Sequence, residues 1–393
     1  MARLLSIDEA RASVLETVVP LDGERVAVQD ALRRVLAEDV AAANDVPPFD
    51  NSAMDGFALT AGPPNRTLRI VGESRAGAPA TAAPSDDEAI RVSTGAVVPK
   101  GTEAVVPVEQ TSADGDGTIT IDAEVRPAQH IRRAGEDMKR GERVLRSGTV
   151  LGPAELGVAV VAGRAHLDVG RRPRVALLIT GDELRDPGEP LGPGEIHESN
   201  GITLGALVAQ AGGDVVHKGR VGDSREATEQ AIATALQEAD VLILSGGVSV
   251  GPHDHVKPAL EANGVEERFW RVALRPGKPT WFGRNEDTLV FGLPGNPVSA
   301  MVTFLLFVRP ALQRLQGGDA TTRRIRATLT EPVPRIPNRD EAVRVKLDNG
   351  TATPTGPQGS HQLTSMLAAD GLAIVTAGDG TADEGTKVDV ELI

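Results

Sequence analysis

The stretch that decides the fold is VLILSGGVSVGPHD, residues Val241–Asp254. Its first four residues are apolar enough for a buried strand, and they run directly into a Ser-Gly-Gly turn at residues 245–247. In parallel α/β sheets, ligands bind beside the loops that follow the carboxyl ends of the strands. Glycines let backbone N–H groups converge on an anion, and the carboxylate of Asp254 suits a divalent cation held against that anion. A tight turn without a ligand explains the same residues, so other parts of the chain must separate the two interpretations.

Strand and helix patterns alternate on both sides of this stretch. Buried strands are predicted at Val175–Ile179 and Leu289–Leu293, and a further strand at Asp214–Gly219. Helices are predicted between these strands, at Ile202–Gln210 and over the residues that lead to Glu238. Such alternation is typical of βαβ units, and it predicts a parallel α/β sheet.

Acidic side chains follow three strands of this predicted sheet. Asp182 and Glu183 follow the first strand, Asp223 follows the next, and Asp254 follows the strand at Val241. Right-handed crossovers place such loops at one edge of a sheet, so these carboxylates are expected to converge. For Asp223 an alternative stays open, because an Asp three residues before a Glu is also a helix-capping pattern.

Two later loops add positive charge and a helix start. VALRPGKP at Val272–Pro279 holds Arg275 and Lys278 between prolines, which favours anion binding. PGNP at residues 294–297 follows a strand, and its Asn and second Pro suit a helix cap and a first helical residue. A helix that starts after a Gly loop is an anion site by geometry, although capping alone explains the motif. Pro310 is expected to kink or end that helix.

The regions outside the α/β pattern contain one unusual acidic loop and one basic loop. DVPPFDNSAMDGF at Asp45–Phe57 combines carboxylates with turn formers, and a functional loop and a plain turn explain it equally well. Arg132 and Arg133 either grip a phosphate or pair with Glu136 and Asp137, and pairing is favoured. The predicted domains are a discontinuous N-terminal helical and linker domain (1–44 and 142–172, with a helix at Ala31–Glu38), an inserted β domain (45–141), an α/β domain (173–317) and a C-terminal β domain (318–393).

Composition excludes several classes of protein. The net charge of −14 argues against a nucleic-acid binder, and two Trp with no Tyr leave few stacking platforms. The absence of Cys excludes a disulfide framework and Cys-ligated zinc, and His253 with His255 is a weak zinc signal. The first ten residues lack the apolar core of a signal peptide, and Val298–Val308 is too short to cross a bilayer. These features predict a cytoplasmic protein with no membrane segment.

Six motifs, in order, resemble one family, the molybdopterin molybdenumtransferases. They are PPFDNSAMDGF, TGDEL, SGGVSVGPHD, RPGKP, LPGNPVSA and QGSH. Together they are highly specific, and the resemblance covers the chain from Ser6 to Ile393. This family inserts molybdate in molybdenum cofactor synthesis and is similar to the E domain of gephyrin. The implied fold is a multidomain α/β and β protein: an N-terminal helical segment, an inserted β domain, a parallel molybdopterin-binding α/β domain and a C-terminal β-barrel.

The resemblance also implies an assembly and a reaction. The implied assembly is a homodimer, in which the α/β and C-terminal domains of one subunit face the inserted β domain of the other. The implied substrates are adenylylated molybdopterin and molybdate. In the implied reaction, Mg²⁺-dependent hydrolysis releases AMP while molybdenum is placed on the dithiolene. Molybdopterin adenylyltransferase and molybdoenzymes are further partners in this scheme.

Roles for individual residues follow from the same resemblance. Asp55 matches an acidic residue that reaches into the neighbouring subunit's site, and Asp223 with Asp254 would hold Mg²⁺. Arg275 stands where many members have Lys, and Phe57 replaces a common Tyr; the planar guanidinium makes the first change non-equivalent. The implied catalytic residues are Asp55, Glu183, Asp223 and Asp254. The implied substrate-binding residues are Thr180, Gly181, Ser245, Gly246, Gly247, Ser249, Arg275, Lys278, Pro294, Gly295, Asn296, Pro297, Arg344 and Ser365, of which Lys278, Arg344 and Ser365 match molybdate contacts.

Two other functions compete with this one. The α/β domain alone resembles molybdopterin adenylyltransferase, which makes the adenylate, but the inserted domain and the QGSH loop argue against that enzyme. A non-catalytic scaffold is the second alternative, because gephyrin's E domain also clusters a receptor. Retention of the acidic motif residues argues against a pure scaffold.

Overall fold

A computed structural model describes residues 3–113, 115–222, 224–247, 255–320 and 324–393. Its centre is a six-stranded sheet in which four parallel strands are followed by two antiparallel ones. Both faces are covered, and Val241–Ser245 is buried along its whole length, as is typical of parallel sheets. In spatial order the strands are Asp214–Val221, Arg174–Thr180, Val241–Ser245, Thr288–Leu293, Trp281–Asn285 and Glu266–Trp270. The predicted α/β architecture is therefore confirmed.

Helices pack on both faces of this sheet. The first helix, Ile7–Thr17, begins with a capping box between Ser6 and Glu9. It packs in one core with the helices Asn200–Gln210, Pro297–Thr303 and Arg309–Leu315. The helices Arg225–Glu238 and Val256–Ala262 pack in the core on the opposite face. A two-stranded pair joins Leu184–Arg185 to Ile196–His197.

The helix after PGNP runs further than the sequence predicts. A single π turn at Phe304–Val308 precedes Pro310, and the helix then continues to Leu315. Because Pro310 has no N–H to continue the α-helical pattern, the disturbance is absorbed in the wider turn and does not end the helix. The segment Pro297–Leu315 has the length and composition to cross a membrane, but 78% of its apolar window is buried inside the protein, as in a core helix.

The inserted domain is a sheet of its own. In spatial order its strands are Ala104–Pro107, Gly56–Leu59, Glu88–Val92, Arg66–Ser74, Thr118–Ile121 and Thr111–Ala113. A short pair, Asn51–Ser52 with Ile131–Arg132, and a 3-10 turn at Val108–Gln110 complete it.

The chain around this insertion forms a small unit of short strands and one helix. Its elements are Gly23–Ala27 paired with His166–Gly170, Val40–Ala41 paired with Arg143–Leu145, the 3-10 turn Val28–Asp30 and the helix Pro153–Val161. The prediction of a helix at Ala31–Glu38 is wrong. Val35 and Leu36 instead form bridges to Val150 and Val169, and Arg33 has a φ of 62°, which no α-helix allows.

The C-terminal domain is a closed barrel. Its strands are Arg324–Leu329, Asp340–Asp348, Thr351–Pro354, Gly371–Val375 and Lys387–Leu392, with a short pair at Val333–Pro334 and Thr381–Ala382 and a 3-10 turn at Leu363–Met366. Closure comes from pairing of the second strand with the fourth. A two-residue strand from the α/β region, Leu274–Arg275, pairs with Asp340–Glu341 and joins the two units.

Candidate functional site

Three loops meet at the carboxyl edge of the parallel sheet. A Cβ built on Gly246 lies only 2.6 Å from Thr180 Oγ1 and 2.8 Å from the carbonyl oxygen of Thr180. One built on Gly295 lies 3.6 Å from the Cα of Gly246, and the Ser245 hydroxyl donates to the carbonyl of Pro294. We call this group, residues 180, 245–247 and 294–295, the glycine edge. The sequence-predicted residues Thr180, Ser245, Gly246, Gly247, Pro294 and Gly295 are brought together there.

The backbone conformation at positions 246 and 247 requires glycine. Their φ values are 91° and 64°, in the region that side chains with a Cβ rarely adopt. A side chain on Gly246 also meets backbone atoms, which cannot move aside easily. The turn is therefore built for close approach of the backbone, whether to Thr180 or to a ligand.

Asn200 holds two of these loops together, and it is not among the site residues predicted from the sequence. Its Nδ2 donates to Ser245 Oγ at 2.9 Å and to the carbonyl oxygen of Gly295 at 2.7 Å. The residue is 7% exposed, and its Oδ1 is buried without a hydrogen-bond partner. The sequence shows only that Asn200 is a polar residue at a helix start. Its partners are 45 and 95 residues away in the chain, and a local sequence pattern does not predict such contacts.

The predicted acidic residues are described only in part. Asp182 lies at this edge, with Oδ1 3.4 Å from a Cβ built on Gly222, and the carboxylate of Glu183 folds back to within 2.7 Å of one built on Gly181. The strands that precede Asp223 and Asp254 end at the same edge. Asp223, Asp254 and Ser249 lie outside the described residues, as does His253. Over the described ranges, no group of three His, Asp or Glu side chains is placed to hold a metal ion.

The PGNP loop connects the glycine edge to the barrel. Asn296 takes the cap position and Pro297 begins the helix as predicted, although the Asn296 side chain makes no capping hydrogen bond. The backbone N–H of Val298 donates to the carbonyl of Ser360 in the QGSH loop at 3.2 Å. The first turn of this helix is therefore partly occupied by a loop of the C-terminal domain.

The VALRPGKP loop makes the second connection. The backbone N–H of Val272 donates to the carbonyl of Lys278 at 3.0 Å, which closes the loop and leaves the Lys278 side chain exposed. Arg275 Nη1 lies 3.8 Å from Glu341 Oε1, where the two short strands pair. Arg275 is thus tied to a barrel carboxylate, whereas Lys278 projects to solvent.

Arg344 is the most unusual charged residue of the molecule. It is fully buried on the strand Asp340–Asp348, on the same face as Ala342, which packs in the core shared with the α/β sheet. Nε donates to Ser365 Oγ at 3.1 Å, and Nη2 donates to the carbonyls of Pro357 and Gly359. Nη1 is buried without a partner. We call Arg344, Ser365 and residues 357–359 the arginine pocket.

Burial controls the charge states around this pocket. Burial lowers the pKa of Arg344 to about 10, which still leaves its guanidinium charged at neutral pH. Burial also raises the pKa of Glu341 above its usual range, against the opposing pull of Arg275, Arg344 and Arg339. A buried hydrogen-bond donor without a partner is costly, so the unpaired Nη1 of Arg344 is suited to an anion.

Asp55 belongs to the separate sheet of the inserted domain. Its Oδ1 accepts the backbone N–H of Thr94 at 2.9 Å. Nearby, Asp50 accepts the N–H of Ala134, which lowers the pKa of the Asp50 carboxyl with help from Arg133. Arg133 therefore pairs, as favoured, but its guanidinium contacts Asp50 and only its backbone N–H reaches Glu136.

Both tryptophans of the chain lie beside the loops just described. Trp270 precedes the VALRPGKP loop, with Lys257 Nζ 3.5 Å and Arg271 Cζ 3.9 Å from its ring centre. Trp281 follows that loop, and its indole N–H donates to Glu267. Lys257 lies in the helix Val256–Ala262, which follows the strand Val241–Ser245 in the chain.

Family models match along most of the chain. The MoeA N-terminal region (domain I and II) matches residues 5–163, a probable molybdopterin binding domain matches residues 176–314, and the MoeA C-terminal region (domain IV) matches residues 326–393.

Individual proteins give the same result. A molybdopterin molybdenumtransferase of Haemophilus influenzae is 41% identical over 80% of this chain and 78% of its own length. Molybdopterin molybdenumtransferase 2 of Mycobacterium tuberculosis is 38% identical over 98% of both chains. The crystal structure of the molybdopterin biosynthesis moeA protein from Pyrococcus horikoshii OT3 superposes with a TM-score of 0.86, at 30% identity and with full coverage of both chains.

Proposed function

This chain belongs to the molybdopterin molybdenumtransferase family, and from that premise we propose where and how its reaction takes place. The chain inserts molybdenum in the synthesis of molybdenum cofactor. The observation that carries our assignment of the site is Arg344, a fully buried guanidinium with an unpartnered Nη1. The loop beside it bonds, through Ser360, to Val298 of the helix that follows the glycine edge. Molybdate is a dianion, and it is the ligand that this pocket suits.

The two substrates take different parts of this surface in our proposal. The glycine edge binds adenylylated molybdopterin, because backbone N–H groups and small residues accommodate a phosphate closely. Arg344 and Lys278 bind molybdate, with Arg275 contributing charge that Glu341 partly neutralises. Support comes from the contacts of Val298 with Ser360 and of Arg275 with Glu341, which join the α/β region to the C-terminal domain. Transfer of molybdenum needs the two substrates to lie close together.

Release of AMP breaks the phosphoanhydride of the adenylate, and we propose that Mg²⁺ assists it. Mg²⁺ prefers hard carboxylate oxygens, and the strands before Asp223 and Asp254 end at the glycine edge. Asp223 and Asp254 are the proposed ligands. When bound, Mg²⁺ would neutralise negative charge on the phosphates as the bond breaks. The chain's own part is to hold the phosphate against the backbone donors of residues 245–247.

The site also draws on a second subunit in this proposal. Asp55 lies in the loop just before the strand Gly56–Leu59, and the sheet of that strand shares no strand with the α/β sheet or the barrel. The same loop carries the exposed side chains of Phe49 and Met54. We propose a homodimer in which Asp55 reaches the partner's glycine edge, in the cytoplasm. Molybdopterin adenylyltransferase would supply the substrate and molybdoenzymes would receive the product.

The decisive experiment measures AMP release from adenylylated molybdopterin, with and without molybdate and Mg²⁺, for the native chain and for Asp254→Ala. Release that needs both additions and is lost in the variant is the expected result. Formation of adenylate from molybdopterin and ATP would instead assign the adenylyltransferase reaction. No turnover in either direction by a folded chain would favour a scaffold.

Sharing of the site between subunits has its own test. Asp55→Asn and Asp254→Asn chains are each expected to be inactive, but mixed dimers contain one intact site. Random mixing should therefore restore about a quarter of native activity, since half of the dimers are mixed and each has one of two sites intact. No recovery in verified mixed dimers would place Asp55 outside the partner's site.

A further inference from the structure

Arg271 combines an unusual backbone conformation with a guanidinium that lies over an indole ring. Its φ is 76°, in the left-handed region that residues with a Cβ rarely adopt. Its Cζ lies 3.9 Å from the ring centre of Trp270, and its backbone N–H donates to the carbonyl oxygen of Thr280 at 2.9 Å. Conformations of this kind cost free energy and are concentrated at binding sites. The group that this conformation positions is the guanidinium of Arg271.

The charge of this guanidinium is not neutralised by a carboxylate. Lys257 also lies over the Trp270 ring, with Nζ 3.5 Å from its centre, but the same Nζ is 3.0 Å from Glu267 Oε2. Among the residues that the structure describes, no carboxylate lies within ion-pair distance of Arg271. All three residues of this group are partly exposed. We call Lys257, Trp270 and Arg271 the cation–indole stack, and its free positive charge is open to a ligand.

The stack lies at the end of a row of paired residues that crosses the sheet beside the glycine edge. The row consists of Leu244, Gly292, Trp281 and Trp270, each paired with the next. Neighbouring strands are about 4.8 Å apart, so Trp270 lies roughly 10 Å from Gly292 and roughly 14 Å from Leu244 along this row. The glycine edge begins with the residue after Leu244. A phosphate held there is therefore within one nucleotide's length of the stack.

The stack and the arginine pocket lie on opposite faces of the sheet. Successive side chains of a strand point to opposite faces, and Ile243 packs in one core while Leu244 packs in the other. The first core includes Ala342 of the barrel strand that carries the arginine pocket, and the second includes Trp281 with Trp270 against it. A substrate that crosses the glycine edge with one end in the arginine pocket therefore has its other end on the side of the stack.

We propose that Arg271 binds the adenosine half of adenylylated molybdopterin, with the adenine ring stacked on the guanidinium plane that Trp270 supports. This inference rests on the proposed function, because it takes the dithiolene end to lie at the arginine pocket and the phosphoanhydride at the glycine edge. Guanidinium planes are a recurring stacking partner of nucleobases. A guanidinium held over the indole in advance spares the cost of ordering it on binding. Arg271 thereby joins the site as a substrate-binding residue that was absent from the sequence-based set.

Binding of AMP and of ribose 5-phosphate, each measured by calorimetry, tests the inference. Arg271→Lys keeps the positive charge and removes the planar surface. It is expected to weaken binding of AMP about tenfold, because a base stack is lost, and to leave binding of ribose 5-phosphate unchanged, because that ligand has no base. Equal losses for the two ligands would assign Arg271 to the phosphate, and unchanged binding of AMP would remove it from the nucleotide; either result would overturn the inference.

Arg268→Lys is the matched control. Arg268 lies in the strand that ends at Trp270, and its Nη2 is 3.5 Å from Glu266 Oε2. The same substitution there should leave the affinity for AMP within about twofold of native, because an exposed ion pair contributes little. An equal loss of AMP affinity in this variant would mean that the effect at Arg271 is not local and would overturn the inference.

Arg271→Gly separates binding from a purely structural role. Glycine adopts a φ of 76° without strain, so the thermal unfolding midpoint should not fall. The loss of AMP affinity should be at least as large as in Arg271→Lys. A lower midpoint together with native affinity for AMP would show that Arg271 serves the fold alone, against the inference.

Steady-state release of AMP from adenylylated molybdopterin distinguishes failure of this inference from failure of the proposed function. The KM of the Arg271→Lys chain should rise. If the native chain releases AMP and the KM of the variant is unchanged, the inference is wrong and the proposed function stands. If the variant binds molybdopterin more weakly but AMP normally, the pterin end lies at the stack and the inference is wrong. If the native chain releases no AMP, the proposed function fails, and the inference fails with it.

Discussion

The glycine edge and the arginine pocket adjoin, but neutral groups form the first and a buried positive charge is the main feature of the second. At the glycine edge the contacts are between neutral groups: backbone carbonyls, a serine hydroxyl and the amide of Asn200. In the arginine pocket a full positive charge is buried and held by carbonyls and one hydroxyl. The first arrangement selects by shape and close approach, and the second by charge. In our proposal, one site therefore receives an organic phosphate and an inorganic dianion without the two competing for the same groups.

The substitution with the largest expected effect removes the charge of Arg344 and keeps most of its side-chain volume. Arg344→Met should weaken tungstate binding by about a hundredfold or more, because a buried charge-assisted contact is lost. The fold should survive, since an apolar side chain of similar length fills the space. Calorimetric titration with tungstate measures the first effect and thermal unfolding the second. Molybdopterin binding should persist, and its loss together with oxyanion binding would mean that the two regions are not separable.

The next effect breaks the glycine edge. Gly246→Ala should destabilise the chain by about 2–3 kcal/mol, because φ is 91° and the new Cβ meets Thr180 backbone atoms at 2.8 Å. Thermal unfolding and molybdopterin affinity measure the change. Gly295→Ala is the matched variant, with its nearest contact at 3.6 Å, and should stay within about 0.5 kcal/mol of native. Equal damage from both variants would contradict the role assigned to Gly246.

A smaller effect loosens the glycine edge without a clash. Asn200→Ala removes two donated hydrogen bonds and should lower stability by about 1–2 kcal/mol, with weaker molybdopterin binding and unchanged tungstate binding. Ser199→Ala, at the adjacent cap position without a side-chain capping bond, should be neutral. Comparable losses of stability in the two variants would indicate a general weakening of this helix, and not the loss of the hydrogen bonds from Asn200 to the two loops.

The smallest effect concerns Glu341 and depends on pH. Burial raises the pKa of this carboxyl in the folded chain, so its protonated form favours folding at low pH, and that stability is lost as pH rises through the raised value. Glu341→Gln should therefore raise the free energy of unfolding at pH 7–8 by about 1 kcal/mol or less. The difference should vanish near pH 4. Unfolding curves of both chains across this range measure it, and a constant offset would exclude titration of Glu341 as the cause.

The strands and the order of the domains were predictable because their signals are local. Val241–Ser245 and its parallel neighbours have continuous apolar runs bounded by Gly and Pro, and the capping box at Ser6 is a four-residue pattern. The helix predicted at Ala31–Glu38 failed because its apolar spacing serves bridges to Val150 and Val169, more than a hundred residues away. Tertiary pairing overrode local propensity there.

The site residues also divide into those with a local sequence signal and those without one. Glycine loops after strands were readable, and the structure brings Thr180, Gly246 and Gly295 together. Arg344 was reached only through family resemblance, because nothing in AVRVKL distinguishes a buried arginine from a surface one. Asn200 was missed for a related reason, since it acts through contacts with loops that are distant in the sequence.

The positions of Trp270 and Trp281 give the chain an optical property. With no tyrosine in the sequence, its intrinsic ultraviolet emission comes from these two indoles alone. Both flank the VALRPGKP loop, and Trp270 is in contact with a lysine from the helix that follows the Ser-Gly-Gly loop. Occupancy of the site should thus change the colour or the yield of the emission. Substrate arrival can be timed in a stopped-flow instrument on the unlabelled protein, with Trp270→Phe and Trp281→Phe to assign the signal.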